Sequence, residues 1–187
     1  MNSPIKKVKT NYEAWAELPS HVVGEIIGDE LHASPRPTPR HANSCTGVVD
    51  QIRGPFHNGS GGGPGGWIIL FEPEIHMDEN IFVPDIAGWK RERMPQIPDE
   101  AFFTKEPDWI CEVLSPSTAA LDRVKKMPLY ANLGVKFFWL VDPLIKTVEI
   151  YKNDHINWLL LNTFSDDKKV RAAPFDAIEI DLSVLWK

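Results

Sequence analysis

Cysteine is scarce in this 187-residue chain, and long apolar runs are missing. Its two cysteines, Cys45 and Cys111, lie far apart, so the sequence indicates neither a disulfide framework nor a zinc site. There is no run of about 18 apolar residues, and no apolar segment follows Lys6 and Lys7 as it would in a signal peptide. These absences exclude a membrane-spanning helix and predict a protein of the reducing cytoplasm.

Positive charge is also in short supply. The chain has 20 Lys and Arg against 26 Asp and Glu, which gives a formal net charge of −6. A protein of this charge does not bind polyphosphate over a wide surface, so contact with nucleic acid requires a local basic patch or a bound divalent metal ion. The length and the apolar fraction of 43% suit one globular domain. We expect an N-terminal arm at residues 1–16 and a single domain at residues 17–187.

The apolar pattern predicts an α/β protein with a mixed sheet flanked by helices. Gly28-Asp29 between two apolar runs predicts an N-terminal β-hairpin within residues 21–33. A second hairpin is predicted towards the C-terminus, with strands at residues 147–151 and 158–162. Between the hairpins we expect a helix at 41–52, a flexible glycine-rich loop at 54–66, strands at 67–71, 81–89, 109–114 and 137–141, a turn at 74–80, and a helix before the last strand.

The strand, helix and strand within residues 109–141 form one βαβ unit. Its crossover should be right-handed, which makes the two strands parallel neighbours or near neighbours. On the helix, Asp122, Lys126 and Tyr130 are spaced i, i+4, i+8 and share one side, whereas the apolar Val124 is expected to face the sheet. Pro128 should interrupt the helical hydrogen bonding near Lys126. Asp122 and Lys126 can equally be an ordinary surface ion pair.

Two acidic residues interrupt apolar strands: Asp85 in the strand 81–89 and Glu112 in the strand 109–114. A carboxylate in a protein core needs a partner, because burying an unpaired ion is very unfavourable. If the two strands pair, both carboxylates reach one end of the sheet and can share a hard cation such as Mg²⁺ with a backbone carbonyl. Alternatively, each carboxylate caps a neighbouring amide or pairs with a lysine.

Several segments together resemble one known family. They are Glu25 before the Gly/Asp turn, the proline-rich loop into His41, Pro84-Asp85-Ile86, residues 112–118, the Asp122, Lys126 and Tyr130 series, and residues 134–143. From about residue 17 to the end, the chain resembles the Uma2 family of endonucleases, formerly a domain of unknown function. That family belongs to the restriction-endonuclease-like PD-(D/E)xK superfamily.

The resemblance implies a restriction-endonuclease-like fold and an endonuclease that uses Mg²⁺ or Mn²⁺ to hydrolyse the phosphodiester bonds of DNA. It makes Asp85 the Asp of the PD element and Glu112 the acidic residue of the (D/E)xK element, and these two would hold the metal ion with the carbonyl of Val113. Leu114 occupies the usual lysine position and cannot polarise a substrate. The resemblance suggests that the lysine function has moved to Lys126, for which Lys125 is the rival.

Other residues and functions stay open at this point. Glu25 is either a further metal ligand or a hairpin-end residue paired with Arg36 or Arg40, and those arginines either contact phosphates or lie in a solvated loop. We interpret His41 as a residue at the start of a helix rather than a ligand. The alternatives to a nuclease are a non-catalytic module that binds nucleic acid or protein on the same fold and a small-molecule metallohydrolase. A homodimer would suit cleavage of both strands of a duplex.

Overall fold

The structure, a computed structural model, describes residues 9–34 and 37–187, which form a mixed α/β fold. The strands are β1 Val23–Ile27, β2 Glu30–Ser34, β3 Trp67–Phe71, β4 Ile75–Met77, β5 Asn80–Phe82, β6 Ile86–Lys90, β7 Trp109–Val113, β8 Phe137–Asp142, β9 Thr147–Asp154, β10 Asn157–Ser165, β11 Lys169–Val170 and β12 Ile180–Asp181. The helices are α1 Asn11–Ala16, α2 Pro39–Ile52, α3 Ala119–Leu121 and α4 Met127–Asn132, with π-helical turns at Arg53–His57 and Asp122–Lys126 and a 3-10 helix at Leu182–Trp186. Within this part of the chain, no helix is both long and apolar enough to cross a membrane.

A six-stranded mixed sheet forms the centre of the molecule, in the order β10-β9-β8-β7-β6-β3. Strands β7 and β8 run parallel, as the βαβ unit predicts, and the other neighbours in this sheet are antiparallel. The N-terminal hairpin is also confirmed, and it belongs to a smaller sheet of order β2-β1-β5-β4. Its turn residues Gly28 and Asp29 have φ angles of 57° and 63°, which glycine and aspartate tolerate better than most residues.

Both faces of the central sheet are buried around β7, whose side chains alternate between them, whereas the edge strand β10 is largely exposed. Cys111 and Val113 pack on one face against α2 and the C-terminal segment. Ile110 and Leu114 pack on the other face against the smaller sheet and α4. Glu112 lies between Ile110 and Leu114 in the sequence, so it points to this second face, where the helix after β7 covers the sheet.

One predicted strand is wrong in a way that affects Asp85. Residues 81–89 form two strands, β5 in the smaller sheet and β6 in the central sheet, and Asp85 lies in the break between them. Pro84 explains the break, because proline has no N–H for a strand ladder and fixes φ. Asp85 therefore comes just before β6, next to the end of β7 that carries Glu112, since Ile86 pairs with Cys111.

Other corrections concern the connections. The turn predicted at residues 74–80 is a hairpin of β4 and β5. The loop predicted at 54–66 is shorter than expected, because residues 54–57 belong to a π-helical turn that extends α2 to His57. Pro55 lacks the N–H that an α-helix would need at that position, so the wider hydrogen-bonding pattern takes over. The C-terminal hairpin is confirmed, but its strands are longer than predicted and its turn lies at His155-Ile156.

The helix before β8 also departs from the prediction. Pro128 follows a π-helical turn, Asp122–Lys126, in which the Met127 N–H bonds to the Asp122 carbonyl. Asp122 and Lys126 are buried here, whereas Val124 is 71% exposed, so the expectation that Val124 faces the sheet is wrong. The side of this helix that carries Asp122 and Lys126 therefore lies against the protein interior, and Leu121 and Met127 also pack against the core.

Candidate active site

Glu112 is the central side chain of a buried polar cluster at the end of β7. It is 2% exposed, and its Oε1 atom lies 2.7 Å from Lys126 Nζ. The Tyr130 hydroxyl donates a hydrogen bond of 2.7 Å to the same oxygen. The other oxygen, Oε2, accepts the backbone N–H of Asp85 at 3.3 Å. The residue that interrupts an apolar strand therefore has a cation, a hydroxyl and an amide as partners.

Lys126 joins three carboxylates. Besides Glu112, its Nζ atom lies 3.0 Å from Glu25 Oε1 and 3.5 Å from Asp122 Oδ1. Asp122 is one helical turn earlier on the same face and contacts Lys126, and Tyr130 is one turn later and contacts Glu112, so the spacing of four residues gathers all three polar groups into the cluster. The lysine is 3% exposed, which excludes the reading of an ordinary surface ion pair.

Glu25 reaches this cluster from β1 in the smaller sheet. Its Oε1 atom accepts the backbone N–H of Val83 at 2.8 Å in addition to contacting Lys126. Val83 lies next to the break that precedes β6, so Glu25 links the hairpin, the break and the lysine. Among the described residues its ion-pair partner is Lys126, and Arg36 lies outside those residues.

Asp85 lies on the side of Glu112 that faces α2. Its Oδ2 atom accepts the backbone N–H of Val113 at 2.7 Å and lies 3.2 Å from His41 Nε2. His41 is the third residue of α2, whose first turn is capped by Thr38 and has Pro39 at its start. The Asp85 side chain is 16% exposed, so it is the acidic group of the cluster that solvent reaches most readily.

A cleft of about 250 Å³ opens onto these side chains. The ionisable groups that line it come from six separate parts of the chain: Glu25, His41, Glu72, Asp85, Glu112, Asp122 and Lys126. Its rim includes the hydroxyl-rich loop of residues 115–118, in which Ser115 hydrogen-bonds Ser117 and Thr118. The cleft thus gives a solvent path to the carboxylates and a rim of neutral hydrogen-bonding groups.

Burial sets the protonation behaviour of the cluster. Burial raises the pKa of Glu112 well above its ordinary value. The charge of Lys126 lowers this pKa, whereas the negative charges of Asp122, Asp85 and Glu25 raise it further. Burial by itself lowers the pKa of Lys126, but the surrounding Glu112 and Glu25 outweigh it, and the pKa lies well above 10.5. The pKa values of both groups can be raised together because several carboxylates surround one ammonium group. The ammonium group keeps its proton, and the carboxyl groups repel one another and so also favour protonation.

A profile of the Uma2 family, described as "Putative restriction endonuclease", matches residues 10–184. The chain belongs to the Uma2 family.

Two known proteins are similar to this Uma2 chain, one in sequence and one in structure. It is 41% identical to the "Uncharacterized protein slr1290" of Synechocystis sp. over 68 residues, which are 35% of this chain and 36% of that protein, so the match spans about a third of the relative. Its structure is similar to the crystal structure of "a putative nuclease belonging to DUF820" from Anabaena variabilis, with a TM-score of 0.76 and 21% identity over 96% of this chain and 98% of that one. The expected nuclease-like fold is thereby confirmed.

The structure brings together the residues that the sequence singled out in this Uma2 protein. Asp85, Glu112, Lys126 and Glu25 form one contact network, and the backbone of Val113 joins it through Asp85. Their roles in binding a metal ion or in catalysis stay predictions.

Three residues whose roles the sequence left open, Lys125, Arg40 and His41, differ in their distance from the cluster. Lys125 points away to a surface ion pair with Glu30, at 2.6 Å. Arg40 is exposed on the first turn of α2. His41 does begin a helix, but its side chain also contacts Asp85, which the sequence reasoning missed. The spacing of four residues between His41 and Cys45 indicates only that these two side chains share a helix face, and it gives no signal for the contact with Asp85.

Loss of the Tyr130 hydroxyl should destabilise this Uma2 fold. Tyr130→Phe removes a hydrogen bond to a buried carboxylate, which is expected to lower the free energy of unfolding by about 1.5–3 kcal/mol. Tyr151→Phe is the matched control, because Tyr151 donates to the more exposed Glu149 and should cost less than about 1 kcal/mol. Urea unfolding of both variants measures the difference, and equal losses would contradict the contact as described.

The pH dependence of stability should reveal the raised pKa of Glu112. A carboxyl whose pKa is higher in the folded protein binds more protons when folded, so its contribution to stability falls as the pH rises above its ordinary value of 4.5. Glu112→Gln does not titrate. In buffer with EDTA, wild type should therefore lose stability relative to Glu112→Gln between about pH 5 and about pH 8. A stability difference that is constant across this range would refute the direction of the shift.

Proposed function

We propose that this protein is a metal-dependent endonuclease that hydrolyses phosphodiester bonds of DNA in the cleft at Asp85, Glu112 and Lys126. The observation that carries the proposal is the 2.7 Å contact between Lys126 Nζ and Glu112 Oε1, since Leu114 leaves the usual lysine position without a cation. A lysine supplied by the following helix restores the combination of acids and ammonium group that the family resemblance implies. Membership of the Uma2 family, described as "Putative restriction endonuclease", supports the same function.

The charge balance of the cluster fits a divalent cation. Four carboxylates, from Glu25, Asp85, Glu112 and Asp122, face Lys126 and the imidazole of His41. Even with both bases charged, four negative charges less two positive charges leave two negative charges in a largely buried site. Excess buried charge is unfavourable unless protons or a cation neutralise it. Oxygen ligands in a solvent-accessible cleft are what Mg²⁺ and Mn²⁺ bind.

In this proposal Asp85, Glu112 and the Val113 carbonyl would hold the ion. When bound, Mg²⁺ or Mn²⁺ would polarise a phosphate group and lower the pKa of a water molecule. Lys126 keeps its proton because its pKa is raised, so it can donate a hydrogen bond to water or to a phosphate oxygen but cannot act as a general base.

The contacts of Lys126 indicate how it would act. Its Nζ atom lies close to three carboxylates, and the 3.5 Å contact with Asp122 is the longest of the three. The contact with Asp122 is therefore the one most readily exchanged for a contact with a phosphate oxygen. Glu25 then serves as a positioning residue, because it holds the ammonium group from the side opposite the helix.

The proposed partners follow from the reaction. DNA would be the substrate, and the acidic cleft would accept its phosphate only with a cation present, since the charges otherwise repel. A homodimer would allow both strands of a duplex to be cut. The free, buried Cys45 and Cys111 fit a protein of the cytoplasm.

Nicking of supercoiled plasmid DNA tests the proposed function. Purified protein should nick the plasmid with Mg²⁺ or Mn²⁺, should stop in EDTA, and should resume when the divalent cation is restored in excess. Binding of DNA without cleavage under every cation condition would instead support the non-catalytic module. Activity that persists in EDTA would contradict metal dependence.

A further inference from the structure

His41 approaches the proposed cation site from the face of the sheet opposite to Lys126. Its Nε2 atom lies 3.2 Å from Asp85 Oδ2, the same oxygen that accepts the Val113 N–H. The ring therefore contacts Asp85 directly and is linked through it to Val113, and both of these residues are proposed to hold the metal ion.

Cys45 lies behind this ring. Its Sγ atom is 3.5 Å from His41 Nδ1, the nitrogen on the far side of the ring from the Asp85 contact. Cys45 is fully buried. Ligand atoms of His41, Cys45 and Asp85 all lie within 4.8 Å of one another. The arrangement suits Cys45 as the hydrogen-bond partner that orients the imidazole, leaving Nε2 directed at Asp85.

The His41 side chain is confined by its surroundings. His41 is 8% exposed and belongs to the first turn of α2. Cys45, one turn later, contacts the ring on the side away from Asp85. His41, Asp85 and Glu112 all line the open cleft, so a cation can reach them from solvent. A cation that binds to Asp85 Oδ2 therefore meets Nε2 as well.

We propose that His41 Nε2 is a further protein ligand of the divalent cation, beside Asp85, Glu112 and the Val113 carbonyl. The spacing fits this role: two ligand atoms at about 2.1 Å from one ion and at right angles are about 3.0 Å apart, close to the observed 3.2 Å. The inference rests on the metal site of the proposed function and adds a nitrogen ligand to it. Imidazole favours Mn²⁺, Co²⁺, Ni²⁺ and Zn²⁺ over Mg²⁺, so the site should select the transition metals.

Pulsed EPR of the full-length wild-type protein loaded with Mn²⁺ tests this without any substitution. A coordinated imidazole gives nuclear modulation from a directly bound ¹⁴N, which is the expected result. A spectrum with Mn²⁺ bound but without nitrogen coupling would overturn the proposal.

Titration calorimetry with Mn²⁺ and with Mg²⁺ provides the second test. His41→Gln should weaken Mn²⁺ binding by at least about 10-fold and Mg²⁺ binding by less, whereas His155→Gln, a change at a fully solvated histidine, should alter neither. Far-UV circular dichroism checks that His41→Gln is folded. Unchanged or tighter Mn²⁺ binding by His41→Gln would show that the imidazole competes with the ion or is irrelevant to it.

The outcomes separate this inference from the proposed function. Plasmid nicking that requires Mn²⁺, combined with binding that is independent of His41, would refute the ligand role and leave the nuclease intact. Nitrogen-coordinated Mn²⁺ without any nicking would support the ligand role and refute the nuclease. A wild-type protein that binds no divalent cation would refute both.

Discussion

Lys126→Met is expected to reduce the rate of plasmid nicking by about 100-fold or more. The ammonium group is the only cation within 4 Å of Glu112 among the described residues, and methionine removes it while keeping an unbranched side chain of similar volume. Lys125→Met is the matched control, since Lys125 is the adjacent residue and pairs with Glu30 at the surface. We expect the control to nick DNA at the wild-type rate.

The same substitution should also destabilise the protein. It leaves Glu112, Glu25 and Asp122 together without their shared cation, a change that typically costs about 3–5 kcal/mol in a buried ion pair. Nicking should therefore be compared well below the melting temperature of the variant. A folded Lys126→Met protein that nicks as fast as wild type would contradict the role assigned to this lysine.

Asp85→Asn should abolish nicking to a similar degree for a different reason. The amide oxygen can still accept the Val113 N–H, but the neutral side chain is a much weaker ligand for Mg²⁺ or Mn²⁺. Wild type should be stabilised by saturating divalent cation, by about 2.7 kcal/mol at a concentration 100 times the dissociation constant. Asp85→Asn should lose most of that stabilisation.

Asp78→Asn is the matched control for this change. Asp78 lies in the exposed turn between β4 and β5 with a φ of 52°, a conformation that asparagine tolerates well. It should keep both the activity and the cation-dependent rise in melting temperature. An Asp85→Asn protein that retains the full rise would mean that the cation binds elsewhere.

The βαβ unit and the acid at its centre were readable from the sequence because both depend on local pattern. An apolar run with one carboxylate marks Glu112 as buried and paired, and the handedness of crossovers makes β7 and β8 parallel neighbours. The spacing of four residues correctly placed Asp122, Lys126 and Tyr130 on one side. The spacing does not show which side of the helix is buried, since an ion pair at the surface has the same spacing. The prediction that Val124 faces the sheet was accordingly wrong.

Features that depend on distant parts of the chain were not predictable in this way. The apolar run around Pro84 does not show that its two halves join different sheets, so the position of Asp85 in a break was missed. The approach of His41 to Asp85 joins α2 to a segment 44 positions later, and no periodic pattern encodes such a contact. The partner of Glu25 likewise required the smaller sheet to be placed against the helix.

The central claim is that one cleft carries a metal-dependent reaction through Asp85 and Lys126. It is tested most directly by the initial rate of plasmid nicking in Mn²⁺ for wild type, Asp85→Asn and Lys126→Met, purified in parallel with their controls Asp78→Asn and Lys125→Met. We predict that wild type and both controls nick at similar rates, while both site variants are slower by about 100-fold or more. Equal rates for all five proteins would contradict the account and assign the activity to another site or to a contaminating nuclease.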